Sequence, residues 1–282
     1  MSPKLTTVRV GLRRGWIEFR LTVTNVGEML GWLWPSLLAL LVMYALRDST
    51  VPGTDFSLGA QSIPGILGMN IVLTGMMGLA STLITEREDG TLLRAKAIPN
   101  GVPGYLTGKV VSQSGMTAAV LLVVLLPAAF LFDGLELGEV SSWLRLSWVV
   151  VLGLVATLPL GALLGAVFHS PQGLGVIMLL LTGMVGISGV FYPITALPEW
   201  LQLLGQLFPV YWLGIGMRSA LLPETMSAVE IGDSWRLWET LGVLGLWAVL
   251  GFALAPRVLG RMARRADGAR LASASPAQPA SS

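Results

Sequence analysis

The 282-residue chain contains no cysteine and one histidine, His169. The first absence excludes disulfides, iron–sulfur clusters and thiolate metal sites, and the second excludes a multi-histidine metal centre. Charge is also scarce. Asp, Glu, Lys and Arg make up 12% of the chain, where soluble domains carry ~25%. Hydrophobic residues make up 54%, and mean hydropathy is +0.73. These values describe an integral membrane protein. The net charge of +2 and pI near 9.2 reflect basic residues gathered on one side of the apolar runs and point to no nucleic-acid surface. No cleavable leader is expected, because the first long apolar run begins only after roughly thirty residues of charged, amphipathic sequence.

Crossing a bilayer takes about 20 apolar residues. Six stretches serve: Met29–Leu46, Ile63–Thr85, Val110–Phe132, Trp143–Phe168, Gly173–Tyr192 and Trp238–Pro256. The first is opened by Trp32 and Trp34 at interface depth. Ahead of it, Leu5, Val8, Leu12, Trp16, Phe19, Val23 and Val26 recur in steps of three and four, with Arg9, Arg13, Arg14, Glu18 and Arg20 as polar counterpart. That pattern predicts a basic amphipathic helix, residues 5–28, at the membrane interface. Between the fifth and sixth spans, Pro198, Pro209 and Pro223 cut the chain into runs too short to cross. Two short helices that dip into the outer leaflet and return are expected there, the first with Trp200, Leu201, Leu204 and Leu207 on one face. Residues 257–270 are basic, and the closing ASASPAQPASS has the composition of a disordered tail. All but four of the 18 basic residues (Arg47, Arg145, Arg218 and Arg236) fall on the side shared by both termini and the loop after the second span. The positive-inside rule therefore predicts six spans with both ends cytoplasmic.

That loop, TEREDGTLLRAKAIPNGVPGYLTGK (85–109), is the one long polar interruption in the first two-thirds of the chain. Glu86, Arg87, Glu88 and Asp89 end an apolar run, and Gly90 suits the left-handed turn that closes a helix. Asp89 or Thr91 can cap a short helix, Leu92–Ile98, which Pro99 ends after about two turns. Asn100-Gly101 and Pro103-Gly104 are turn dipeptides, and the next helix is expected near Tyr105. A short helix held between two spans has the shape of a peg for a partner's groove; a solvated loop that only marks the cytoplasmic side is the alternative.

The apolar cores carry no Asp, Glu, Lys or Arg, the residues that ion-coupled carriers keep in the membrane. Nor does the chain bind nucleotide by a P-loop. Its nearest approach, Gly104-Tyr105-Leu106-Thr107-Gly108-Lys109, has Pro103 where the first glycine belongs and Val110 where the hydroxyl belongs. No constellation for an intramembrane enzyme is present. Polar residues in the spans are neutral: Asn70, Thr74 and Ser81; Gln113, Ser114 and Thr117; Thr182 and Ser188. Methionines gather in the second and fifth spans, at Met69, Met76, Met77, Met178 and Met184. Adaptable Met surfaces with a few hydroxyls suit a large amphiphile, or simply packing. Gly161-x-x-x-Gly165 and Gly183/Gly186/Gly189 allow close helix contact, within the chain or at a dimer seam.

The segment ITEREDGTLLRAKAIPNGVPGYLTGK resembles the stretch after the second span of ABC-2 type exporter permeases, an E-R-E-x-G-T run ending in a small-Pro turn and Gly-Lys. GVFYPITALPEWLQLLGQLFPVYWLGIGMRSALL resembles that family's fifth-span exit and outer re-entrant helices. Within the family the chain is most similar to daunorubicin-resistance-type drug permeases, while polysaccharide and glycolipid exporters share the topology. The resemblance implies an all-α integral membrane fold of six transmembrane helices in the cell membrane. It implies no cofactor in this chain, with ATP and Mg on P-loop ATP-binding cassette subunits, two of which dock beneath two paired permeases, whether identical or paralogous. It places ATPase coupling at Glu86, Arg87, Glu88, Gly90, Thr91, Leu92, Leu93 and Arg94, beside the N-terminal helix. It places the substrate path at Asn70, Thr74, Met77, Met184 and Ser188, with an outer gate near Phe191 and Tyr192.

Overall fold

Asn25 splits the N-terminal segment into two helices, α1 (Pro3–Thr24) and α2 (Val26–Ala45). Its side-chain oxygen accepts from the amides of Gly27 and Glu28 at 3.1 and 3.3 Å, and its amide nitrogen donates to Glu28 at 3.3 Å. This reciprocal cap moves the boundary from the expected Glu28 back to Thr24. The computed structural model describes residues 3–51, 56–97, 101–168 and 170–274.

The second span is one continuous rod of α3 (Leu58–Val72), a π turn (Leu73–Gly78) and α4 (Leu79–Glu88). It starts before the expected Ile63 because Ser57 caps it, and it runs past Thr85 to Glu88. The short α5 (Thr91–Lys96) and α6 (Gly101–Leu131) follow. α6 begins at Gly101, ahead of the expected Tyr105, because Pro103 sits in its first turn, where a missing N–H leaves no bond unmade. Then come α7 (Val140–Val167), α8 (Pro171–Gly186), α9 (Glu199–Gln206), α10 (Pro209–Leu221) and α11 (Leu237–Ala274). Among the described residues all of these elements are helical, and extended pairing is a single bridge, Thr50 to Ser57.

Five helices among the described residues are long and apolar enough to cross a membrane: Val26–Ala45, Leu58–Glu88, Gly101–Leu131, Val140–Val167 and Leu237–Ala255. The fifth expected span differs. α8 has 16 residues, or ~24 Å at 1.5 Å per residue against a ~30 Å hydrocarbon core. Residues 187–192, expected as its outer end, leave the helix through a turn at Gly189, whose φ is +63°. The last helix overshoots its expected end at Pro256 and carries the basic stretch to Ala274. The remainder of the tail, 275–282, and His169 lie outside the described residues.

The second span forms the centre of the chain, with every residue from Gly59 to Val72 buried. α10, one of the expected short outer helices, is buried along its whole length. It lies so close to α3 that a Cβ on Gly68 would stand 2.9 Å from the Gly214 nitrogen. Gly161 and Gly165 likewise bring α7 onto the second span. A Cβ on Gly161 would overlap the Gly75 carbonyl, and one on Gly165 would be 3.0 Å from Ala80 Cα. That glycine pair therefore serves internal packing, whereas Gly183 and Gly186 face open space.

α1 packs lengthwise along α6 by a face that the apolar stripe indicated only in part, through Phe19. A Cβ on Gly11 would stand 2.6 Å from the Gly104 carbonyl, one on Gly15 would overlap that of Gly108, and Phe19 covers Gly115. The stripe residues Val8, Leu12 and Trp16 point away from the chain instead. In α9, Trp200, Leu203, Leu204 and Leu207 form the exposed apolar face, and Gly205 seats the helix against the Ile187 carbonyl.

Candidate functional site

The end of the second span is built for a sharp reversal. Gly90 takes φ +76°, and Asp89 accepts the Thr91 amide at 2.8 Å to start α5. That amide holds the Asp89 carboxyl below its ordinary range. The contribution of this cap is therefore complete above the ordinary carboxylate pKa and is lost as pH falls through the lowered one. Arg94 reaches back to the Asp89 carbonyl at 3.3 Å and the Thr91 hydroxyl at 3.4 Å. Leu92 and Ala95 are buried against Leu79, Leu83, Tyr105, Leu158 and Ala162. α5 is thus anchored to its own chain by Leu92 and presents Arg94 and the adjoining Glu88 and Asp89 outward. Leu93 lies on α5. Ile98, Pro99 and Asn100, the expected end of this helix, lie outside the described residues.

One turn before the reversal sits an ion cluster. Lys109 of α6, 5% exposed, donates to Glu18 of α1 at 2.8 Å and to Glu86 of α4 at 2.5 Å. Arg14 closes the far side of Glu18 at 2.9 Å. The Tyr105 ring lies under both cations, 5.3 Å from Arg14 and 5.5 Å from Lys109. Arg87, the next residue along, donates to the Gly165 carbonyl of α7 at 2.8 Å. Two adjacent residues of α4 therefore hold three other helices: Glu86 reaches α6 directly and α1 through Lys109, and Arg87 reaches α7.

A ladder of neutral polar contacts continues from the cluster into the apolar region, its rungs one helical turn apart on α6. Gln113 donates to Thr82 at 3.4 Å, and the Thr117 and Thr74 hydroxyls meet at 2.7 Å. Asn70 accepts from Ser36 of α2 at 2.6 Å and donates to the Ile66 carbonyl at 3.0 Å. The second and third spans are thereby cross-linked from Glu86 and Lys109 up to Thr74 and Thr117.

The expected path residues separate into two groups. Asn70 and Thr74 are buried inside the chain and partnered there. Ser188 is buried and donates to the Val185 carbonyl at 2.8 Å. Met77, Met184, Phe191 and Tyr192 are half-buried at the margin of the core. Leu73, Met77 and Ser81 form a half-open stripe on a rod whose other residues from Gly59 to Ala80 are buried. Phe191 and Tyr192 lie in the turn beyond α8. There the Phe191 carbonyl accepts from Ser62 at 3.1 Å and the Tyr192 hydroxyl donates to the Gly186 carbonyl. The same turn is gripped by Arg218 of α10, which donates to the Gly189 carbonyl at 3.1 and 3.2 Å and pairs with Glu230 at 3.0 Å.

Glu18, Lys109 and Tyr105 were not among the residues singled out from sequence. Lys109 stood at the apolar border as a topology marker, and Glu18 as one polar residue among arginines. Their partnership depends on the glycine contact that brings α1 onto α6. The one signal in the sequence was a lysine directly against an apolar run, a position where a charge needs a partner.

No curated protein matches the chain. Residues 48–256, well over half of it, match the family described as ABC-2 family transporter protein. With a match of that extent over spans that meet at a polar end, the chain belongs to the ABC-2 family, the membrane permease subunits of ABC transporters, which associate with an ATP-binding cassette subunit.

Proposed function

We propose that the chain is the membrane half of an ATP-driven exporter that moves an amphipathic drug, antibiotic or lipid outward. Two permeases, identical or paralogous, face each other, and two P-loop subunits carrying ATP and Mg grip them from the cytoplasm. Both termini and α5 lie on that cytoplasmic side of the cell membrane. The observation that carries this reading is Lys109 joining Glu18 and Glu86, because it makes α1, α4 and α6 a single body, and α5 packs against α4 and α6. A partner that displaces α5 must move that body, and the Thr82–Gln113 and Thr74–Thr117 contacts extend the movement into the membrane. Export then requires that cargo affinity differ between the two positions of the spans. The cargo path runs along the half-open stripe of Leu73, Met77 and Ser81 and the Met184 side of α8, and it ends outward near Phe191 and Tyr192. Asn70 and Thr74, whose bonds close inside the chain, hold the stripe in place.

Charge reversal on the outward surface tests the grip without touching the core, since Glu88 and Arg94 are exposed. Glu88→Lys/Arg94→Glu is expected to leave the yield and unfolding midpoint of the permease unchanged. Capture of the ATP-binding subunit and ATP-dependent export should fall at least ~10-fold, the scale of one lost charged contact at an interface. Undiminished capture and export in that variant would remove α5 as the handle.

A further inference from the structure

We propose that the outward face of α1 is a binding site for anionic phospholipid. α1 spends its glycine edge and Glu18 on α6, which leaves the opposite side uncovered. Arg9, Arg13 and Arg20 lie in one row there. All three are exposed, and none meets a carboxylate among the described residues, in contrast to Arg14, which is taken by Glu18.

The row is flanked by apolar side chains on both sides: Leu12 and Trp16 on one, and Ile17 and Leu21 on the other, all exposed. A guanidinium between apolar neighbours matches a phosphodiester headgroup, which it can bond in bidentate fashion while acyl carbons cover the flanks. Arg20 shows the arrangement most clearly. With Ile17, Leu21 and Thr24 it lines a shallow pocket, and the Thr24 hydroxyl is turned inward to the Arg20 carbonyl at 2.8 Å, so the guanidinium is the free donor.

Continuity with the first span decides between lipid and protein as the occupant. The chain passes at Asn25 directly into α2, whose Val26, Leu30, Trp34 and Leu41 are exposed and, on a membrane span, face hydrocarbon. The exposed apolar surface of α1 ends at Leu21, and only the exposed polar turn of Thr24, Asn25 and Glu28 separates it from that lipid-facing surface. The last turns of α1, with Arg20, therefore stand at the headgroup level of the leaflet nearest α5, where a basic row attracts anionic lipid. The inference does not rest on the export reading, and its test involves no transport.

The test uses the full chain reconstituted in phosphatidylcholine vesicles containing a minor fraction of phosphatidylglycerol. The readout is the ratio of motionally restricted spin-labelled phosphatidylglycerol to restricted spin-labelled phosphatidylcholine. The wild type is expected to prefer phosphatidylglycerol several-fold, and Arg9→Gln/Arg13→Gln/Arg20→Gln to bring the ratio close to one. The corresponding triple lysine variant should keep most of the preference, and Arg47→Gln, near the far end of α2, should keep all of it. Arg20→Gln alone lowers the ratio and serves if the triple variant folds poorly. A wild type with no preference, or a triple glutamine variant with the wild-type ratio, overturns the proposal. An unchanged ratio with lost capture of the ATP-binding subunit would instead make this face a protein dock.

Discussion

Lys109→Met is expected to destabilise the permease by about 3–5 kcal/mol, the cost of removing one partner from a buried ion pair, and to abolish ATP-driven export. The lysine is 5% exposed and serves two carboxylates. Their fates differ once it is gone. Glu18 keeps Arg14 at 2.9 Å, whereas Glu86 loses its ammonium partner, and its neighbour Arg87 is turned to the Gly165 carbonyl. Most of the loss therefore comes from Glu86 stranded against the Tyr105 wall. Adding Glu86→Gln removes that charge and is expected to recover much of the unfolding midpoint measured in detergent. Export should stay absent in the double variant, because the charged link that ties α4 to α1 and α6 is gone and only the weaker Gln113–Thr82 contact still joins α4 to α6. A double variant that regains both stability and export would show the cluster to be structural only.

The second large effect is at the opposite end of the spans. Arg218 and Glu230 are a fully buried pair, with side chains 1% and 0% exposed. Arg218→Met leaves Glu230 without its cation and frees the Gly189 carbonyl that Arg218 holds. A loss of about 3–5 kcal/mol is expected, read as a lower unfolding midpoint and a smaller monodisperse fraction. Because a buried ion pair can often be replaced by apolar residues with little loss, Arg218→Met/Glu230→Leu should recover most of that stability. It should not recover the turn after α8, since the Gly189 carbonyl remains unbonded. Proteolysis confined to residues 187–197 in the double variant would register the difference.

Much of this architecture was legible in the residues. Long apolar runs locate the spans, and Asp89-Gly90-Thr91 predicts the reversal and the helix after it. Pro198, Pro209 and Pro223 predict the short outer helices. What escaped is non-local. The stripe residues Val8, Leu12 and Trp16 are on the exposed side of α1, while much of the face that binds α6 is written in Gly11 and Gly15, which carry no hydrophobic signal. Lys109 and Glu18 could not be paired without that contact. Arg218 looked like a surface cation because its burial depends on α10 folding back between α3, α7 and α11. The shortened α8 escaped because the apolar composition of Gly173–Tyr192 continues through a turn that Gly189 and Arg218 impose. Of the path residues, Asn70 and Met77 looked equivalent in sequence. Only the packing of the second span turns the first inward and the second toward the margin.

As proposed, this chain converts motion supplied at α5 by the ATP-binding subunit into movement of solute. The most direct measurement is uptake of a fluorescent amphiphile into sealed vesicles that hold the full chain with its α5 side outward, with and without the purified ATP-binding subunit. ATP-dependent accumulation only when that subunit is present, and its loss with Lys109→Met, is the predicted result. Accumulation of the same size by the chain alone, or in the absence of ATP, would contradict the account.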